Sequence, residues 1–157
     1  MNSPILSPLQ LGDGDLFGMA LLEPGLTSDL STWTVTIHKH GLLTQTVLVR
    51  QPPRYDDQLV VLRQSVPRER IDGLKQIVLE EDLLTFGAFP TLYATDQEQT
   101  RLVIHLFGQR VTIDAYGPYF TVECGGSDED KAKARRYCRL WEAILELTPF
   151  TPYGGLR

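Results

Sequence analysis

Cysteine is scarce in this chain. Only Cys124 and Cys138 occur among its 157 residues, too few for a disulfide scaffold, and a chain of this length buries a two-layer core without staples. Free thiols in a reducing compartment are therefore favoured over a secreted disulfide framework, the more so because Cys138 falls on the apolar stripe of a helix. Positive charge is also in deficit. A formal charge of −5 and a pI near 5.1 argue against nucleic acid or an anionic membrane as the default partner, because either requires a net basic face. An acidic chain suits cytoplasmic solubility or a basic protein partner. Long apolar runs are missing too: Leu16–Leu22 and Leu59–Leu62 fall far short of the roughly 20 residues that span a bilayer. Before its first apolar residues the chain has no Lys or Arg, and Pro4, Pro8, Gly12, Asp13 and Asp15 interrupt each run, so no export signal is expected. The expected location is cytoplasmic.

The familiar chemical motifs are absent as well. The sequence contains no P-loop, no G-x-G-x-x-G, no H-E-x-x-H, no G-x-S-x-G and no C-x-x-C, which removes the best-known routes to phosphate binding, zinc hydrolysis, nucleophilic catalysis and dithiol chemistry. His38 and His40 are spaced to share a strand face, but they flank a turn and lack a third ligand nearby, whereas zinc takes roughly three or more protein ligands. A solvated turn is the expected reading. His105 and Asp114 form the other conceivable acid-base pair, diagonal across a hairpin; a surface polar pair is favoured there too. Asp96, Glu98 and Glu123 add carboxylates whose mutual approach spacing does not fix. No catalytic residue, metal or cofactor is assigned.

What the sequence does contain is a pair of legible hairpins. In Thr100–Tyr116, TRLVIHLFGQRVTIDAY, a two-residue II′ turn at Gly108-Gln109 would pair Leu106 with Val111, Ile104 with Ile113 and Leu102 with Ala115 on a dry face. Phe107–Arg110, His105–Thr112, Val103–Asp114 and Arg101–Tyr116 would form a wet one. In Thr32–Arg50, a three-residue loop Lys39-His40-Gly41 with Gly41 as a left-handed bulge residue pairs Ile37 with Leu43, Val35 with Gln45 and Trp33 with Val47, over a threonine ladder on the opposite face. The Trp33 side should be buried. A third strand is expected at Gln58–Gln64, after a proline-bearing loop, and a further one at Leu16–Leu22, weakened by Gly18 and Pro24. Tyr119–Cys124 alternates as another strand, with Phe120 and Val122 on one side.

Two helices follow from periodicity. Ser65-Val66-Pro67 reads as a capped start for Arg68–Leu79, whose apolar face is Ile71, Leu74, Ile77 and Val78, and Asp82 reads as the cap of a further turn carrying Leu83, Leu84 and Phe86. Phe89 and Tyr93 read as anchors of the connection that follows. Ser127 caps the second helix above an acidic first turn, and Ala134, Tyr137, Cys138, Trp141, Ile144 and Leu145 form its buried stripe, ended by Pro149. Lys131, Lys133, Arg135, Arg136 and Arg139 lie mostly off that stripe as a solvated face. The expectation is an α+β domain: an antiparallel sheet of about five strands, two hairpins plus extra strands, with two helices packed on one face. A single domain is expected over 32–157, preceded by a partly irregular extension over 1–31.

The Trp33-x-Val35-x-Ile37 strand turning at Gly41, the Leu83-Leu84-x-Phe86 helix end, the Tyr93–Asp96 pair and the Gly108…Val111…Tyr116-Gly117-Pro118 hairpin resemble an uncharacterised bacterial domain with a PepSY-like layout, over roughly Thr32 to Trp141. The resemblance implies a hairpin–helix–hairpin unit found in protein inhibitors and binding modules, with no catalytic residues to transfer. Arg101, His105, Phe107, Arg110, Asp114 and Tyr116 are then the candidate partner-binding residues, since Tyr, Phe and Arg are enriched where proteins dock. The competing reading is that the N-terminal segment or the last helix covers this face. An acidic binder of this size is similar in kind to the immunity proteins that neutralise toxins. A small enzyme using His105 and Asp114, or a self-associating structural domain, are the alternatives.

Overall fold

The computed structural model describes residues 9–23, 30–50, 57–151 and 155–156. Six strands, β1 (Asp15–Glu23), β2 (Leu30–His38), β3 (Leu42–Arg50), β4 (Asp57–Ser65), β5 (Gln99–Leu106) and β6 (Gln109–Tyr116), form one sheet in the order β4-β3-β2-β1-β5-β6. Every neighbouring pair is antiparallel. Helices α1 (Arg68–Glu80), α2 (Pro118–Cys124) and α3 (Asp128–Leu147) pack against the sheet, giving an α+β fold. A short ribbon, β7 (Phe150–Thr151) and β8 (Gly155–Leu156), closes the described chain.

Alternation decides which side of the sheet is covered. Trp33, Val35 and Ile37 of β2, Leu43 and Val47 of β3, Phe17, Met19 and Leu21 of β1, and Leu102, Ile104 and Ile113 of the β5–β6 hairpin are all buried in one cluster with Tyr137, Leu140, Trp141 and Ile144 of α3. Each large apolar side chain sealed this way contributes about 1.5–3 kcal/mol. At the centre Trp33 and Trp141 lie 5.7 Å apart and Trp141 stacks on Tyr137 at 6.0 Å. One buried polar side chain is Gln45, whose amide donates to the Phe150 carbonyl at 2.7 Å and accepts from the Phe150 N–H at 3.0 Å.

The β2–β3 hairpin has the register its sequence predicts, from Trp33 opposite Val47 to Ile37 opposite Leu43. Gly41 takes φ +85°, and a Cβ there would lie 2.6 Å from the Val66 carbonyl oxygen, so the turn demands glycine twice over. The β5–β6 hairpin differs. Phe107 and Gly108, at φ 53° and 72°, form the turn, and Leu106 pairs with Gln109, Ile104 with Val111 and Leu102 with Ile113. Positive φ at both central residues is the I′ geometry, which like II′ matches the twist of the flanking strands. The pairing is offset by two residues from the expected one, and because side chains alternate with period two, each keeps its expected face.

Four further expectations are corrected. Tyr119–Cys124 is helix α2, not a strand: Gly117 turns left-handed at φ 57°, Pro118 fits the first helical position, and the Thr121 hydroxyl donates back to the Gly117 carbonyl at 3.0 Å. Ser65 ends β4 rather than capping α1; Pro67 stands at the cap position and no side chain caps that helix. Asp82 precedes a 3₁₀ turn at Leu83–Thr85 in left-handed conformation, again without a side-chain cap. Tyr93 is 96% exposed and anchors nothing; Phe89 packs on the core instead, and Leu92 abuts Gly117. The Ser127 cap of α3 stands as read, its hydroxyl accepting from the Asp130 N–H at 3.1 Å.

The segment read as an N-terminal extension supplies β1, held between β2 and β5. Gly18 is no weak point there. Leu9 and Leu11 cross its outer face so closely that a Cβ would meet them at 2.7–2.8 Å. The proline-bearing loop 51–56 and the turn at 24–25 lie outside the described residues.

Candidate functional site on the β5–β6 hairpin

The candidate partner-binding residues occupy the outer face and tip of this hairpin, away from the helices. The structure brings them together unevenly. Arg101 lies opposite Asp114, and its Nε donates to the Asp114 carboxylate at 2.6 Å. That bond raises the Arg101 pKa above its usual range. Asp114 is therefore engaged with Arg101, while His105 pairs across the ladder with Arg110. Four residue steps separate His105 from the position opposite Asp114, about 13 Å along a strand. The diagonal His105–Asp114 contact expected from the other register does not form, because the two-residue offset substitutes Arg101 as the acid's neighbour.

Tyr116 has a structural attachment. Its hydroxyl donates to the Ala94 carbonyl at 3.0 Å and accepts from the Gln97 N–H at 3.2 Å, fastening the connection between α1 and β5 to the hairpin base. Val103, midway along the outer face, is buried in a small second cluster with Leu9 and Ala20, with Leu11 and Leu22 packed beside it. The N-terminal segment thus covers the middle of this face. Thr112 and Asp114 stay exposed on β6, and the far end is open on both strands: His105, Phe107 and Arg110 are exposed, Phe107 to 62%.

The other candidate groups are placed as follows. His38 Nδ1 accepts from the His40 N–H at 3.2 Å, and its Nε2 lies 3.2 Å from the Asp13 carbonyl. Both ring nitrogens are thereby used, Nδ1 within the β2–β3 turn and Nε2 in tying that turn to the residues before β1. Among the described residues no group of three or more His, Cys, Asp and Glu is placed to hold a metal ion. Cys124 is exposed and Cys138 buried, both free thiols, and burial pushes the Cys138 pKa up to about 12. Arg136 and Arg139 are not a loose basic face: Arg136 donates to the Glu81 and Asp82 carbonyls at 2.8 and 3.1 Å, and Arg139 pairs with the Glu80 and Glu81 carboxylates.

Two features escaped sequence reasoning. A cleft of about 400 Å³ beside the β2–β3 turn is walled by Lys39, His40, Arg68, Asp72 and Lys75 over a floor of Val66 and Ile71. The folding of α1 back onto the turn assembles it, so spacing alone carried no signal. The second is the aliphatic run Leu59-Val60-Val61 in β4, exposed to 54%, 38% and 47%. Its signal was visible in the sequence as an unbroken apolar run, but only its edge position gives it meaning.

No helix among the described residues is long and apolar enough to cross a membrane. No protein-family model matches the chain, and no curated protein matches it.

Proposed function

We propose that this chain is a protein-binding module that acts by occlusion rather than by catalysis, of the inhibitor or immunity kind, and that it docks through the tip of the β5–β6 hairpin. One observation carries the reading: Phe107 combines 62% exposure with φ 53°. A bulky aromatic residue in left-handed backbone is disfavoured, and Asn, Asp or Gly would serve the same turn at lower cost. Its ring belongs to neither core cluster of the described residues, so the strain is best explained by a contact outside the chain.

The surroundings support the same use. His105 and Arg110 flank the ring on the exposed ladder, and an aromatic anchor beside Arg is the composition of an interface hot spot. The tip is locally basic within an acidic chain, which fits a partner offering an apolar socket rimmed by carboxylates, met in the cytoplasm. Asp114, drawn off by Arg101, supports contact rather than proton transfer as the work of this face.

The test is affinity capture from native cytosol with wild type, Phe107→Ala and Arg110→Glu side by side. A partner held by wild type and lost with both variants supports the reading. A partner retained by both, or held equally by a hairpin-tip deletion, overturns it.

A further inference from the structure

The edge of the sheet opposite the β5–β6 hairpin is β4. Among the described residues β4 pairs with β3 alone, so its outer side has no neighbouring strand there. Natural proteins blunt such edges with short strands, prolines or inward-pointing charge, because a row of open N–H and C=O groups invites another strand. β4 is nine residues long, and its middle is Leu59-Val60-Val61-Leu62. The other edge strand, β6, is better protected: its exposed residues, Gln109, Arg110, Thr112 and Asp114, are all polar or charged.

We propose that β4 pairs with β4 of a second copy, antiparallel, about a two-fold axis through Val60. Symmetry restricts the choice. A two-fold relating antiparallel neighbours stands perpendicular to the sheet, so facing residues share a side of it and one residue faces itself on the axis. Near the strand centre that leaves Val60 or Val61. About Val61, Leu59 would face Arg63. About Val60, Leu59 faces Val61 twice over, Gln58 faces Leu62, and Arg63 falls in register with Asp57, a residue of opposite formal charge, at both ends. Charge and apolarity agree only in the second arrangement.

The faces agree too. Leu59 and Val61 lie opposite Leu48 and Thr46 on the outer side of the sheet, and Val60 lies opposite Val47 on the helix side. Pairing about Val60 therefore gathers the Leu59 and Val61 side chains of two copies into one aliphatic cluster, each now half exposed. The product is a continuous sheet with six strands from each copy. Its two β5–β6 hairpins sit at the far ends, clear of the junction, so the inference stands whether or not the hairpin tip docks a partner.

Sedimentation velocity of the intact chain, with Val61→Lys as the control, tests association. A concentration-dependent dimer, weakened about tenfold or more by Val61→Lys with unchanged far-UV circular dichroism, supports β4 pairing. A wild type that stays monomeric at the highest soluble concentration overturns it, as does a dimer that Val61→Lys leaves intact. Cysteines introduced one at a time into a Cys124→Ser background, whose remaining thiol Cys138 is buried, then read the register under mild oxidation. Val60→Cys should crosslink fast and Val61→Cys slowly; the reverse order overturns the Val60 axis, and capture of a different protein on β4 in place of a copy overturns the occupant.

Discussion

The Tyr137 hydroxyl lies 2.7 Å from the Thr100 hydroxyl, and Thr100 in turn donates to the Ala115 carbonyl at 3.0 Å. This chain of two bonds joins α3 to both strands of the β5–β6 hairpin in a site where Thr100 and Tyr137 are both fully buried. Burial raises the Tyr137 pKa well above its usual value, so the phenol remains a donor. The two ends of the bond are not equivalent. Tyr137→Phe removes a donor and leaves Thr100 still bonded to Ala115, a loss of about 1 kcal/mol. Thr100→Val strands a buried phenol O–H and should cost about 2–3 kcal/mol. The double variant should cost less than the sum, with a coupling of at least about 0.5 kcal/mol in urea denaturation. Additive losses would show that the contact carries no energy.

The two hairpins show how far local pattern reaches. For β2–β3 the loop residue was unambiguous, since Gly41 alone could take positive φ there, and the whole register followed. For β5–β6 the turn contains Phe107 in positive φ, a choice local chemistry argues against, so the sequence pointed to Gly108-Gln109 instead. The faces survived because an offset of two preserves alternation; the His105–Asp114 pairing did not, because cross-strand neighbours depend on absolute register. Tyr119–Cys124 is short enough for period two and period 3.6 to be indistinguishable, and Gly117 with Pro118 decided for helix. The central position of β1 was illegible for another reason: Gly18 weakens a strand in isolation, and the Leu9 and Leu11 side chains that need its missing Cβ come from elsewhere in the chain.

Phe107 gives a prediction in which stability and function move in opposite directions. Replacing it with Asn, which tolerates φ near 53°, should raise unfolding free energy by about 0.5–1 kcal/mol. The same substitution should abolish capture of the hairpin partner. If Phe107→Asn instead lowers stability in a denaturant titration, the ring serves the fold and the docking argument loses its basis.

Arg136 and Arg139 sit three positions apart on α3 and should behave differently. Arg136 serves the last carbonyls of α1 and the turn after it, and its guanidinium lies 5.3 Å from the Phe86 ring centre. Arg136→Ala should cost about 1–2 kcal/mol, from lost charge-assisted bonds and ring packing. Arg139 reaches the exposed Glu80 carboxylate and the half-buried one of Glu81 with its own side chain 47% exposed, and a pair whose cation is open to water in this way contributes little. Arg139→Ala should leave the melting temperature nearly unchanged and insensitive to added salt; a loss equal to that of Arg136→Ala would mean the charge pairing, not the carbonyl capping, holds α1 to α3.

The two thiols separate cleanly by burial. Cys124 is exposed and should react with a disulfide reagent at once at mildly alkaline pH, whereas Cys138 should react only as the protein unfolds. Burial raises the Cys138 pKa from 9.0 to about 12 in the folded state, the carboxylates of Glu142 and Glu98 adding to the effect. Between those values the unfolded chain has lost a proton that the folded chain keeps, so stability falls as pH rises, by up to about 1.4 kcal/mol per pH unit. Below pH 9 this group contributes no slope. Tyr137, raised from 10.0, adds its own loss above that pH. Cys138→Ala should flatten the decline between pH 9 and 10 while leaving the curve at neutral pH parallel to wild type. Parallel curves through pH 10 as well would mean that Cys138 ionises in the folded protein, and that its place on the buried stripe of α3 is wetter than its packing against Trp141 and its neighbours requires.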